Sequence, residues 1–565
     1  METVSDNTVQ EALALIQNER ALPHPSGPLL ECFISEALQP QLAAAYVLHV
    51  CRSSGDQKAE LFTLVSDWTY IVESITEYGN PPPVLNDETR TGIIRRDGSK
   101  CCITGKEAGP GDPLVTVPLL PVPSRWLDSK PRISEMLRAF FGLPYRDWWL
   151  AYAERPERMN PHYSHWLVRR SANDAFRRGL LTLNRLLPSM LEYRISPCTI
   201  GTLEEMIDLA GSFPLLGDHS RSGLPKVDAR FVGTHARLAP SIRWLEVRGQ
   251  INQNERVLSS SAISFPSRQE RARKSWFPQL LSTTCLATWL TVPKVVRIAT
   301  YRLLHRVGRY LYGGSDSFSV QRLPFNLYLK SSRSVGALRN EFNALNTIRR
   351  YTSVPVPRGL DLVSAAVRTP GQLDAEDAYH LTSRLPGVPL AHACDLLSDR
   401  DVREFVTQMQ DFVTQLRIIP RPTGVKHRIC DTLGEACRDP RIRDANPIGP
   451  FDDEESFSRY LLYPDDPARR GHDIVFTHAD LNLRNILVDR VVRPDGTRGW
   501  QVAGIVDWEN SGFYPEYWEC TKAQFEGFRY DQRWRRLLYD VFRPHGDYSK
   551  ELELEKRSWR ESDAV

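Results

Sequence analysis

The chain has 565 residues, 41% hydrophobic and 25% charged, which is too long for one core and ordinary for soluble globular domains. Lys+Arg number 72 against 69 Asp+Glu, and the net charge of +3 gives no global drive toward nucleic acid or an acidic membrane surface, so neither partner is expected. Ten cysteines are scattered without a C-x-x-C pair and no apolar leader precedes a cleavage site, which points to a reduced, cytoplasmic chain.

Residues 1–83 read as a helical region. Leu61, Leu64, Val65, Trp68, Ile71, Val72 and Ile75 recur at spacings of three and four and mark one apolar face. The run Pro81–Pro83 ends that unit.

Residues 92–200 read as a second unit, with RRDGSKCCITGK, the proline-studded LVTVPLLPVP and then WLVRRSANDAFRRGLLTLNRL. Its opening resembles the HNH-nuclease-like domains of fungal proteins, with Arg96, Asp97, Cys101, Thr104 and Gly105 on the R-D-x-x-x-C-x-x-T-G pattern. The resemblance implies two later histidines, where this chain carries Pro118 and Asn173. Proline offers neither a general base nor a metal ligand, so what is implied is a scaffold without nuclease chemistry. An α+β domain of unrelated descent is the alternative. His162 and His165 lack a nearby cysteine or carboxylate pair and read as core or solvated histidines.

Residues 201–294 read as linker and irregular chain, including the connector SSSAISFPSRQERARK with its solvated basic run. From Ser275 to Pro293 no residue is charged, yet Pro278, Pro293 and five hydroxyl residues interrupt the stretch, so no membrane span is expected.

Residues 295–545 carry the chemistry. SFSVQRLPFNLYLKSS alternates as strands do and holds Lys330. ALRNEFNALNTIRRY follows as a helix with Leu338, Phe342, Leu345 and Ile348 on one face and Glu341 beside it. Such a lysine and glutamate can meet as the ion pair that holds an ammonium against nucleotide phosphates, or stand apart as two surface charges. HLTSRLPGVPL is extended. The next helix places Val402, Phe405, Val406, Met409, Phe412, Val413 and Leu416 on one face, opens at a capping box of Ser398 and Asp401, and stops at Pro420.

The stretch FTHADLNLRNILVD then puts His478, Asp480 and Asn485 between two strand-like runs. ILVDRVV turns at Pro494–Gly496 and WQVAGIV returns to Asp507, so antiparallel pairing brings Asn485 and Asp507 to one end beside Asp480. An amide oxygen and a carboxylate there suit Mg²⁺, and Asp480 can orient a hydroxyl and take its proton. His478 reads as a packing residue of the loop.

HADLNLRN followed by GIVDWENSGFYPEYWE resembles the aminoglycoside phosphotransferase family in its fungal form, a branch of the protein-kinase-like fold, from near 300 to near 540. The resemblance implies an α+β chain whose C-terminal part is bilobal, with a small β-rich N-lobe and a larger helical C-lobe, preceded by a separate mixed α+β region. It implies ATP and Mg²⁺ in the cleft. Lys330 and Glu341 would position the nucleotide, Ser383 and Leu385 would lie at the hinge, Asp480 would be the catalytic carboxylate, and Asn485 and Asp507 the metal ligands. The implied reaction carries the γ-phosphate to a hydroxyl of a small-molecule acceptor.

Three departures stand out. His-Ala-Asp replaces His-Gly-Asp, tolerable where Ala479 avoids positive φ. The segment Tyr312–Phe318 lacks a spaced G-x-G-x-x-G over the phosphates. Asn482 stands where protein serine/threonine kinases carry a lysine, and no long activation segment follows Asp507, both of which favour a small acceptor over a protein. The competing reading is a pseudokinase-like scaffold. Residues 546–565 read as a charged tail.

Overall fold

The structure is a computed structural model that describes the chain except residues 1, 19–21, 77–84, 122–130, 187–191, 203–213, 215, 218–220, 257–275, 315–318, 368–374, 443–445, 526–531 and 563–565. It divides into two compact units, Met1–Asn254 with Cys394–Asp399, and Glu255–Ala393 with Arg400–Val565. The Pro81–Pro83 stop, the basic connector and part of the Tyr312–Phe318 loop lie outside the described residues.

The first unit opens with four helices, α1 (Glu2–Asn18), α2 (Ser26–Ser35), α3 (Pro40–Ser53) and α4 (Gln57–Thr76). All seven residues of the predicted α4 face are buried. Trp68 packs edge-on against Phe33 and leans on Phe140, whose rings lie 5.1 and 4.6 Å away. α5 (Asp87–Arg96) starts where the Asn86 side chain accepts the Thr89 amide, a regular N-cap.

β1 (Leu114–Pro118) pairs antiparallel with β2 (His165–Arg169) and sets Pro118 opposite His165. Between them run α6 (Pro131–Phe141) and α7 (Leu143–Glu154), and after β2 comes α8 (Arg170–Arg177), which carries Asn173. Arg96 and Asp97 are buried as a bidentate pair at 2.7 and 2.9 Å. Arg96 donates to the His165 carbonyl and Asp97 accepts the Leu167 amide, so the pair ties α5 to β2. Gly105, at φ +67°, closes a turn by donating to the Cys101 carbonyl. The motif residues therefore hold a scaffold together. β3 (Leu181–Arg185) and β4 (Tyr193–Pro197) form a second hairpin.

The linker expectation for 201–294 fails over a long stretch. Residues Ala229–Glu255 form α9, a helix of 27 residues that buries Phe231, Val232, Leu238, Val247 and Ile251. It also buries polar side chains, which interrupt the apolar period. Arg243 is fully covered and donates to the Ile200 and Gly201 carbonyls, and His235 lies against the Phe176 carbonyl at 2.6 Å. Burial holds His235 at about 4, as a neutral ring.

The second unit begins with α10 (Trp276–Thr291) and α11 (Lys294–Tyr312). Among the described residues no helix is long and apolar enough to cross a membrane. β5 (Val320–Leu323), β6 (Leu327–Ser332), β7 (Gly359–Val367) and β8 (Ala375–Ser383) form an antiparallel sheet of order β5-β6-β8-β7, and α12 (Val335–Tyr351) follows β6. Ile298 and Tyr301 of α11 join Leu323, Leu329, Val363, Tyr379 and Leu381 in the core of this lobe. Gly308 lets α11 approach β5, since a side chain there would run into the Arg322 carbonyl.

The larger lobe combines helices with short strands and long loops. α13 (Asp399–Arg417) buries Phe405, Met409, Val413 and Leu416. Asp401, read as part of a capping box, accepts hydrogen bonds from Arg493 and the Trp500 amide at 2.5 and 2.8 Å. β9 (Val388–Pro389) joins the hairpin of β12 (Ile486–Val492) and β13 (Arg498–Ile505). β10 (Cys430–Asp431), β14 (Gly512–Pro515) and β11 (Ile474–Thr477) form a small sheet in that order. α14 (Trp518–Phe525), α15 (Gln532–Phe542) and α16 (Ser549–Ser562) complete the chain.

α16 corrects the charged-tail expectation. Two of its carboxylates, Glu551 and Glu555, face inward: Glu555 is fully buried against Arg441 at 3.0 Å and Arg469 at 3.4 Å. His472 lies between Glu454 at 2.6 Å and Glu551 at 3.4 Å. Burial opposes its charge, but the two carboxylates prevail and raise it to about 9. A pKa raised on folding stabilises fully below the unfolded value of about 6.5, and that stabilisation is lost as pH rises through 9. His472→Gln is therefore expected to lower the urea midpoint at pH 6 and to converge on the wild type near pH 10. An equal gap at both pH values would remove this account.

Candidate active site

The site grows from the β12–β13 hairpin. Ile486 pairs with Ile505, and the Val506 amide donates to the Asn485 carbonyl at 2.9 Å, so the chain around Asp507 leaves the hairpin beside Asn485. β11 delivers His478, Ala479 and Asp480 to the same end. His478 is fully buried: its Nδ1 accepts the Asp480 amide at 3.1 Å and its Nε2 donates to the Val506 carbonyl at 2.9 Å. That bonding fixes the ring tautomer and makes His478 a clamp, as its position in the loop predicts. Its ring lies 4.3 Å from that of Trp508.

Asp480 keeps its side chain 19% exposed at this junction. Asn485 donates through Nδ2 to the Asp480 carbonyl at 2.8 Å and to its Oδ2 at 3.2 Å. Asn482 reaches the same carbonyl at 3.2 Å and Oδ1 at 3.4 Å. With Nδ2 turned to Asp480, the amide oxygen of Asn485 is left for another partner.

Lys330 and Glu341 do meet. The ammonium lies 3.1 Å from Glu341, 2.5 Å from Asp507 and 2.9 Å from Glu509. Burial disfavours charge on this lysine, but the three carboxylates outweigh it and hold its pKa well above the ordinary value. Burial likewise pushes Glu341 up, and Lys330 and His380 overcome it, leaving the carboxyl at about 2. Asn340, next to Glu341, donates to the Glu509 and Ser511 carbonyls at 3.0 and 2.8 Å, which fixes α12 to the segment after Asp507.

The hinge residues are placed by β8. The Ser383 amide donates to the Arg358 carbonyl at 3.0 Å and its hydroxyl accepts the Arg358 amide at 2.8 Å. Leu385 packs on Gly504 of β13, where a Cβ would strike it. Ser383 thus spends its amide inside the fold, and Leu385 forms a wall.

Two features were hidden from the sequence. Ala479 has φ +63° and Asp507 φ +67°, so the condition for tolerating alanine in place of glycine is not met. Each such residue stores about 1–2 kcal/mol of strain, which the surroundings must hold. Glu519 of α14 does that for Ala479: it accepts the amides of His478, Ala479 and Leu481 at 2.6, 3.2 and 3.3 Å. Burial pushes its carboxyl up even so. Glu516, the other acid of that segment, pairs with Arg417 and accepts the Tyr548 hydroxyl.

Among the described residues no group of three His, Cys, Asp or Glu side chains is arranged to hold a metal alone. An amide oxygen from Asn485 and the Asp507 carboxylate fit Mg²⁺ where phosphate and water complete its oxygen shell. Three carboxylates around one ammonium leave a negative excess that a divalent cation would offset.

Residues 309–550 match the family model APH, described as the phosphotransferase enzyme family. No curated protein matches the chain. Among solved structures, a ligand-free thermostable mutant of aminoglycoside phosphotransferase APH(4)-Ia aligns with TM-score 0.29 and 13% identity over 42% of this chain and 77% of that one. A thermostable APH(4)-Ia mutant in ternary complex with ADP and hygromycin B gives 0.28 and 12% over 41% and 77%. A GDP complex of an aminoglycoside 2'-phosphotransferase-IIIa mutant gives 0.30 and 12% over 45% and 83%. The family match does not reach residues 92–200 and lends the nuclease-like resemblance no support. The β5–β8 sheet, α12 and the loop around Asp480 all fall within residues 309–550, the part of the chain that matches the model of the phosphotransferase enzyme family.

Proposed function

We propose that this domain is an ATP- and Mg²⁺-dependent phosphotransferase that acts on a hydroxyl of a small, uncharged or weakly charged acceptor. The observation that supports it is the clustering of Lys330, Glu341 and Asp507 in one ion-pair group, with Asp480 and Asn485 joined at the end of the same hairpin. Lys330, held by Glu341, would face the phosphates. Asp480 would hold the acceptor hydroxyl and take its proton as that oxygen bonds to the γ-phosphorus; the bond to the β,γ-bridging oxygen breaks and ADP leaves. Mg²⁺, held by Asn485 and Asp507, would offset the phosphate charge.

A polycationic acceptor needs free carboxylates. Glu516 and Glu519 are the acids the sequence offers for that, and both are engaged within the fold. This favours a hydroxylated acceptor over an aminoglycoside. The scaffold alternative draws on one feature: Asp507 and Glu509 compete with any phosphate for Lys330.

Calorimetric titration of MgATP separates the two. Wild type is expected to bind, and Asp507→Ala to lose the Mg²⁺ dependence of that binding. Absence of binding by the wild type would leave the scaffold reading, and an unchanged dependence in the variant would move the metal site elsewhere.

A further inference from the structure

We propose that Lys522 is a positioning residue of the transfer site, setting the Asp480 carboxylate with a buried cation from α14. The proposal rests on the phosphotransferase reading above. Asp480 is flanked within its loop by Asn482 and Asn485, both neutral amides. Arg484 of the same loop is exposed, whereas a buried cation reaches Asp480 from α14: the Lys522 ammonium lies 3.4 Å from Asp480 Oδ1, with its side chain only 4% exposed.

The placement follows from α14. Glu519 and Lys522 are three residues apart, hence neighbours on one helix face. Glu519 grips the loop through the amides of His478, Ala479 and Leu481, and one turn later Lys522 meets the carboxylate of Asp480, which lies among them. One rigid helix thus fixes both the backbone of the loop and the direction of its reactive group. Burying an ammonium is costly unless it is paired, so its presence at the base of the site calls for a role. A fixed cation beside Asp480 holds the carboxylate in one direction, pre-arranged to take the acceptor hydroxyl's proton.

A purely structural role is the rival, because Lys522 also acts on the buried Asp439. The full chain is assayed with MgATP and water as acceptor, reading release of inorganic phosphate, for wild type, Lys522→Met and Lys522→Arg. MgATP affinity and thermal midpoint are recorded for each. Lys522→Met is expected to lower kcat about 10²-fold with KM for MgATP unchanged, and Lys522→Arg to recover about a tenth or more of wild-type kcat. An unchanged kcat in Lys522→Met overturns the proposal. So does a loss that appears only together with weaker MgATP binding and a lower midpoint, or an equal loss in both variants. A wild type that does not bind MgATP, or binds it without ever releasing phosphate, overturns the phosphotransferase reading and this proposal with it.

Discussion

Asp480→Ala is expected to lower MgATP turnover by about 10²–10⁴ while MgATP affinity stays within about threefold of wild type. The separation follows from geometry. Asp480 hydrogen-bonds with Asn482 and Asn485, whereas Lys330 is held by Glu341, Asp507 and Glu509. On the proposed mechanism, removing the carboxylate takes away the proton acceptor and leaves the ion-pair group around Lys330 untouched. The loop backbone keeps its shape because Glu519 and His478 bind its amides rather than the Asp480 side chain. Phosphate release and calorimetry on the same preparation decide the matter. Full turnover in the variant would remove Asp480 from the mechanism; loss of binding along with turnover would make it a structural residue.

The hairpin was legible because its signals are local. Alternating apolar residues, a Pro-Asp-Gly turn and polar ends suffice to put Asn485 and Asp507 together, and the observed register of Ile486 with Ile505 agrees. Lys330 and Glu341 were legible only as a choice between a pair and two surface charges. Packing of α12 against the sheet decides it, and no local pattern encodes that. Glu519 was beyond sequence reasoning for a physical reason: its partners are backbone amides 41, 40 and 38 positions away, and an amide carries no side-chain signature. The left-handed backbone at Ala479 was masked in the same way, since alanine is the residue that sequence rules would assign elsewhere.

In the first unit, α4 could be read directly because its buried face is wholly apolar. α9 could not. Thr234, His235, Ser241 and Arg243 are buried on it, Pro240 lies inside it, and the three-and-four spacing is broken wherever a satisfied polar group takes a core position. Arg96 and Asp97 teach the converse. Their order invites a family motif, but their bonds to the His165 carbonyl and the Leu167 amide explain them as a buried brace.

Glu555→Ala is expected to cost about 3–5 kcal/mol of stability, as breaking a buried ion pair from one side does. Glu555, Arg441, Arg469 and Asp439 are all fully covered. Arg441 would retain Asp439 at 2.9 Å, but among the described side chains Arg469 would keep only the Tyr517 hydroxyl, at 3.4 Å. A solvated tail would predict almost no effect for the same change. Urea denaturation of the variant therefore separates a packed α16 from a loose terminus, and a loss below about 1 kcal/mol would restore the tail reading. Replacing Arg469 and Glu555 together by methionine and leucine should recover much of the loss, because the cost lies in the orphaned charge rather than in the missing attraction. The effect also bears on the site. Arg441 stacks on Trp518 at 4.1 Å, and Trp518 opens the helix that carries Glu519 and Lys522. Loosening α16 should thus reach the Asp480 loop through α14 and, on the proposed mechanism, lower turnover in Glu555→Ala at temperatures where the fold still holds.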